Sequence, residues 1–227
     1  MVLNEIEKNI NYQFKNILLL KTALTHTSFA HENKVESNEK LEFLGDAILE
    51  FVVSEYLYDN YKKLKEGEMT KVRAAVVCEK SLHKVAIKHQ FNKFLYLGKS
   101  EQKTGGSNKP AMLADSVEAV IAAIYTDSNI EQAKKFILDN LKEEIEIATK
   151  TVGMKDYKTV LQEKLQEHGT VKIEYNILDE SGPDHNKSFT AEVKCDGKFL
   201  AKGIGTTKKN AEMEAAKVAL ENISKNG

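Results

Sequence analysis

The sequence predicts an all-α domain followed by a small α+β domain with element order α-β-β-β-α. Three observations carry this expectation. From residue 1 to about 148, apolar residues recur at spacings of three and four, the period of a helix face. After about residue 150 the period becomes two. A single Asp196-Gly197 pair then stands between two alternating stretches, as a hairpin turn requires.

In chain order, the helical period is clearest near 15–25, 38–60, 69–90, 112–126 and 130–147. The stretch "GKSEQKTGGSNKP", Gly98 to Pro110, is polar and rich in glycine, and is expected to be a loop. Residues 149–154, with Gly153, read as a linker between domains 1–148 and 155–227. Beyond it, Tyr157 to Glu167 reads as a short helix. In "VKIEYNIL", Val171, Ile173, Tyr175 and Ile177 alternate with polar residues, the pattern of a half-buried strand. "SFTAEVKC" alternates again, "KFLAKGIG" follows the turn, and a last helix runs from about Lys208 to Ile223. A helix, three antiparallel strands and a helix make a complete two-layer domain.

The 227 residues carry 33 basic and 34 acidic side chains, so net charge gives no argument for a nucleic-acid partner, and any basic surface must come from local clustering. Arg73 is the sole arginine; phosphate contacts would fall almost wholly to lysine, a point charge. Cys78 and Cys195 are too isolated for a disulfide framework or zinc site and read as small core residues. The six histidines lack zinc-ligand spacing. No leader pattern opens the chain and the longest apolar run, Ala119 to Tyr125, is too short to span a bilayer, so a cytoplasmic protein without a membrane partner is expected.

The stretch "NEKLEFLGDAILEF" places Glu39, Glu42, Asp46 and Glu50 within roughly 80° of arc on a helix. The rest of that helix is mostly apolar, which predicts burial. A solvated strip normally mixes signs, whereas this one is acidic only, and like charges at such spacings cost about 0.2–0.5 kcal/mol per pair. Gly45 costs about 1 kcal/mol more than alanine in mid-helix, which points to a close backbone approach. A second apolar segment, "AMLADSVEAVIAAIY", carries Asp115 and Glu118 three apart. Neither segment has enough Lys or Arg to neutralise these acids, and burying unpaired carboxylates is costly. Oxygen donors without His or Cys favour a hard divalent ion, Mg²⁺ with Mn²⁺ as substitute, and such centres serve phosphoryl chemistry. Structural pairing of helix acids is the alternative reading.

"NEKLEFLGDAIL" closely resembles the signature motif of ribonuclease III, with Lys40 where arginine is common. "LTHTSFAHE", "EGEMTKVRAAVV" and "LADSVEAVIAAIYTD" resemble further blocks of that family in the same order, so the likeness spans essentially the whole chain. The resemblance implies an all-α endonuclease domain whose metal-coordinating carboxylates fall on Glu42, Asp46, Asp115 and Glu118. Glu39 and Glu66 match auxiliary acids of the catalytic valley, and Glu50 has no counterpart. It further implies a homodimer, with Phe43 inserting into the partner; a core phenylalanine is the alternative. The implied activity is metal-dependent cleavage of double-stranded RNA to 5′ phosphates, 3′ hydroxyls and short 3′ overhangs, acting on ribosomal RNA precursors and structured messenger RNAs.

The C-terminal domain resembles a double-stranded RNA-binding domain. Gln162 and Glu163 match its first-helix surface, Pro183, Asp184 and His185 its loop, and Lys208 and Lys209 its final motif; an ordinary loop histidine remains the alternative for His185. The two lysines also have a physical rationale. In the first turn of a helix they oppose the macrodipole, yet with free N–H groups they make a phosphate site. Such domains read A-form shape and backbone with little base specificity. The rival function is a catalytically silent RNA-binding protein of the same fold. Retention of all four metal carboxylates favours the enzyme.

Overall fold

The computed structural model describes residues 2–152, 157–167, 170–183 and 187–226. The chain divides into two compact units, Met1–Gly153 and Met154–Gly227. The first is helical: α1 (Val2–Ile10), α2 (Ile17–Ala23), α3 (Thr27–Asn33), α4 (Glu39–Asn60), α5 (Glu66–Val76), α6 (Glu79–Lys88), α7 (Lys99–Lys103), α8 (Pro110–Asp127) and α9 (Ile130–Val152). The second contains α10 (Tyr157–Gln166), β1 (Ile173–Ser181), β2 (Ser188–Cys195), β3 (Lys198–Gly205) and α11 (Lys208–Asn226). Both predicted fold classes are therefore observed.

α8 is the central element of the first unit. Pro110 stands in its first turn, where the missing N–H costs nothing. From Leu113 to Ile124 every residue is buried except Asp115 and Glu118, which are half-buried. Ile48, Leu49, Val52, Val53 and Leu57 of α4 pack with α8 in one continuous core shared with α2, α6 and α9. The acids of α8 are thus interruptions in an otherwise apolar helix, placed where α4 crosses it.

Several elements differ from the sequence expectation. The segment 69–90 is two helices, because the chain extends at Cys78 (φ −98°, ψ 157°) and begins again with α6. The expected loop 98–110 holds α7 and a 3₁₀ turn, Gly106–Asn108. α9 runs through 149–152, residues assigned above to the linker, because Thr149 is buried against the unit and extends its packed face. Cys78 and Cys195 are half-buried, not core. The expected all-round burial of α4 also fails: Phe43, Ala47 and Phe51 are exposed in the single chain. Phe43, at 81% exposure, is not a core residue.

In the second unit the sheet order is β1-β2-β3, antiparallel throughout. Asp196 and Gly197 both take positive φ, 47° and 77°, as the predicted two-residue hairpin turn demands. Val193 pairs with Tyr175 on one side and Ala201 on the other, and this face packs under Leu161 of α10 and Ala215, Ala216 and Ala219 of α11. Small alanines let α11 lie close to the sheet.

Candidate metal centre and RNA-binding surface

The centre is built where α4 meets α8. A Cβ at Gly45 would stand 1.9 Å from the Glu118 carbonyl oxygen, a position no side chain can occupy. Glycine lets the two backbones touch, and its neighbours along α4 then face the acids of α8. One carboxylate oxygen each from Glu42, Asp115 and Glu118 lies within 4.8 Å of the other two. Asp46 is exposed and outside this group, one turn after Glu42 on the same helix.

Electrostatics bind the four acids into one system. Burial pushes the Glu118 carboxyl up to about 8, reinforced by the charges of Asp46, Asp115 and Glu42 in that order. Glu42 is raised by burial, then by Asp115, Glu39 and Asp46. Burial also raises Asp115; His26 pulls it down and Glu79 adds to the rise. Among the described residues, none of the ion pairs reaches Glu42, Asp115 or Glu118. Converging, partly desolvated oxygen donors without an ion-pair partner among the described residues fit a hard divalent cation, whose binding would compete with protonation of Glu118.

The start of α4 is fixed by backbone bonds. Asn38 is buried, donates its N–H to the Thr25 carbonyl at 2.8 Å and accepts the Glu42 N–H at 2.8 Å. His26 caps α3: its Nδ1 accepts the Ser28 N–H at 3.2 Å. The Ser28 hydroxyl oxygen in turn accepts the Gly98 N–H at 2.9 Å. The sequence carries no signal for His26 and Asn38 as supports of the centre, because their roles depend on packing between separate segments.

The auxiliary acids lie outside the three-carboxylate group. Glu39 is exposed in the first turn of α4 and accepts the Ser37 hydroxyl at 2.9 Å. Glu66 opens α5, exposed, and accepts the Thr70 hydroxyl at 3.1 Å. Glu50 is half-buried. Arg73 donates to the Ser54 hydroxyl at 3.0 Å, joining α5 to α4.

In the second unit, Gln162 and Glu163 are exposed on α10 and Pro183 is exposed after β1. Asp184 and His185 lie outside the described residues. Lys208 and Lys209 are exposed in the first turn of α11, where the Thr207 hydroxyl oxygen accepts the Asn210 N–H at 3.1 Å. Lys208 stands 3.8 Å from Glu180 and 5.8 Å from the Phe189 ring centre.

Residues 16–145 match the family model described as Ribonuclease-III-like, over more than half of the chain. The chain belongs to the ribonuclease III family. Residues 157–223 match the model of the double-stranded RNA binding motif, so this ribonuclease III family chain has a nuclease unit followed by an RNA-binding unit. It is 47% identical over 224 residues to Ribonuclease 3 of Caldanaerobacter subterraneus subsp. tengcongensis, covering 98% of both chains. Ribonuclease 3 of Clostridium perfringens is 46% identical over 220 residues, covering 96% of this chain and 93% of that one. The nuclease domain of ribonuclease III from Campylobacter jejuni superposes with a TM-score of 0.59 at 41% identity, covering 63% of this chain and 97% of that one. That structure is described as flexible in a region involved in dimer formation. Among the described residues of this chain, no helix is long and apolar enough to cross a membrane.

Proposed function

We propose that the chain is a Mg²⁺-dependent endoribonuclease that hydrolyses double-stranded RNA, with Mn²⁺ able to substitute. The observation that carries this reading is the convergence of Glu42, Asp115 and Glu118 within 4.8 Å, in a ribonuclease III nuclease unit joined to an RNA-binding motif. Glu42, Asp46, Asp115 and Glu118 hold the metal; Asp46 joins through its charge coupling to Glu118. A bound divalent ion supplies activation of water and stabilisation of the leaving oxygen. The protein's part is to present the acids on two helices locked at Gly45 and to keep Glu118 desolvated, so that it gives up its proton on metal binding. Glu39 and Glu66 act as auxiliary acids along the RNA path. Products with 5′ phosphates, 3′ hydroxyls and short 3′ overhangs follow from the family resemblance, as do ribosomal RNA precursors and structured messenger RNAs as substrates and the cytoplasm as location.

Duplex RNA is held by the second unit, through Gln162 and Glu163 on α10, the loop carrying Pro183, Asp184 and His185, and Lys208 and Lys209. Two chains pair through the exposed apolar side of α4, with Phe43 as the residue that enters the partner. Phe43, Leu44 and Phe51 are all exposed on α4, and a contiguous exposed apolar patch marks an interaction surface. The test is incubation of the purified chain with long duplex RNA in Mg²⁺ or in chelator. Cleavage in Mg²⁺ alone supports the enzyme; tight binding without cleavage in either supports the silent RNA-binding rival.

A further inference from the structure

The corner between α3 and α4 forms an open groove of about 360 Å³, where Ala30 and Val35 lie among the polar residues Thr27, His31, Lys34, Ser37 and Glu39. Glu39 precedes Glu42 by three residues on α4, so the groove adjoins the carboxylate centre along one helix face. A polyanionic strand passing Glu39 meets a like charge, which a cation in the same groove would offset.

Lys34 supplies one. It ends α3 in the left-handed conformation, φ 54° and ψ 45°, where a Cβ crowds the backbone and glycine or asparagine is the usual occupant. The N–H groups of Lys34 and Val35 both donate to the Ala30 carbonyl, which holds the turn. Among the described residues, no ion pair takes up the Lys34 ammonium. Exposed, and lining the same groove as Glu39, the Lys34 ammonium is available to an anionic ligand.

We infer that this groove is a subsite for the sugar–phosphate backbone of the RNA strand flanking the cut, with the Lys34 ammonium on a phosphate oxygen and Thr27 and His31 as neighbouring donors. The inference rests on the proposed function. Its test uses the full chain carrying Glu118→Gln, so that RNA stays intact, titrated with duplex RNA in Mg²⁺ over a range of salt. Lys34→Gly and Lys34→Gln are each expected to weaken binding about three- to tenfold and to lower the salt slope by about one phosphate contact. Lys34→Gly relieves the backbone, so its melting temperature equals or exceeds the parent's and unfolding is excluded as the cause. Unchanged affinity and slope in both variants, with the parent binding normally, overturns the subsite alone. A parent that does not bind duplex RNA overturns the functional reading and the subsite with it.

Discussion

Gly45 and Glu118 touch through their backbones: the space for a Cβ on Gly45 is filled by the Glu118 carbonyl, 1.9 Å away. This contact sets the spacing of α4 and α8, and so brings Glu42 against Asp115 and Glu118. Gly45→Ala tests it. Alanine is the better helix former by about 1 kcal/mol, yet overpacking two helix backbones costs about 1–3 kcal/mol or more. The variant should therefore unfold at lower urea than the parent and lose divalent-metal binding. A more stable Gly45→Ala would show that the helices are not in contact there.

The raised Glu118 carboxyl makes stability depend on pH in the metal-free protein. Its folded value, about 8, lies above the ordinary 4.5, so the folded state holds this proton more tightly. Its contribution is full below about pH 4.5 and is lost as pH rises to about 8. Glu118→Gln removes that loss and should stabilise the chelated protein at pH 9 by about 1–2 kcal/mol, a figure discounted for solvent screening, with little effect near pH 5. Equal effects of the substitution at the two pH values contradict the assignment.

The same proton competes with metal. Mn²⁺ affinity should rise by up to about tenfold per pH unit from pH 6 and level off near 8, with about one proton released per ion bound. Calorimetry in buffers of different ionisation enthalpy measures this directly. Affinity independent of pH in that range would mean that the ion does not displace the Glu118 proton.

Phe43, 81% exposed, contributes little to the fold of a single chain. Phe43→Ala should change unfolding stability of the monomer by no more than about 0.5 kcal/mol. It should weaken self-association at least tenfold in sedimentation equilibrium, as loss of an interface anchor does. Unaltered association would place the dimer contact elsewhere.

Lys208→Ala with Lys209→Ala removes two exposed charges from the start of α11. Duplex RNA binding should weaken and its salt dependence fall by about two phosphate contacts. An unchanged slope rejects a phosphate site at Lys208 and Lys209.

How much of this was legible in the sequence follows from what each signal physically is. The acids of α4 and α8 stood out because a carboxylate in an apolar helix opposes burial, and Gly45 stood out because mid-helix glycine is unfavourable without a contact. The Asp196-Gly197 turn was legible because its geometry selects those residues. α7 was hidden: "KSEQK" is a five-residue helix flanked by glycine-rich sequence, and its composition is that of a loop. The break at Cys78 carries no Gly or Pro, so tertiary packing decides it. Apolar composition alone did not show that Phe43 faces solvent in the single chain. His26 acts on Asp115 only through a fold that joins residues 89 apart in sequence.

The most direct measurement is cleavage of a long RNA duplex in Mg²⁺ by the parent chain and by Glu118→Gln, with binding of the same duplex followed in parallel. The assignment of Glu118 to the metal site requires that both bind with similar affinity and that only the parent cuts, the variant being slower by at least a thousandfold, about 4 kcal/mol in the barrier. Cleavage by Glu118→Gln at the parent's rate would contradict it.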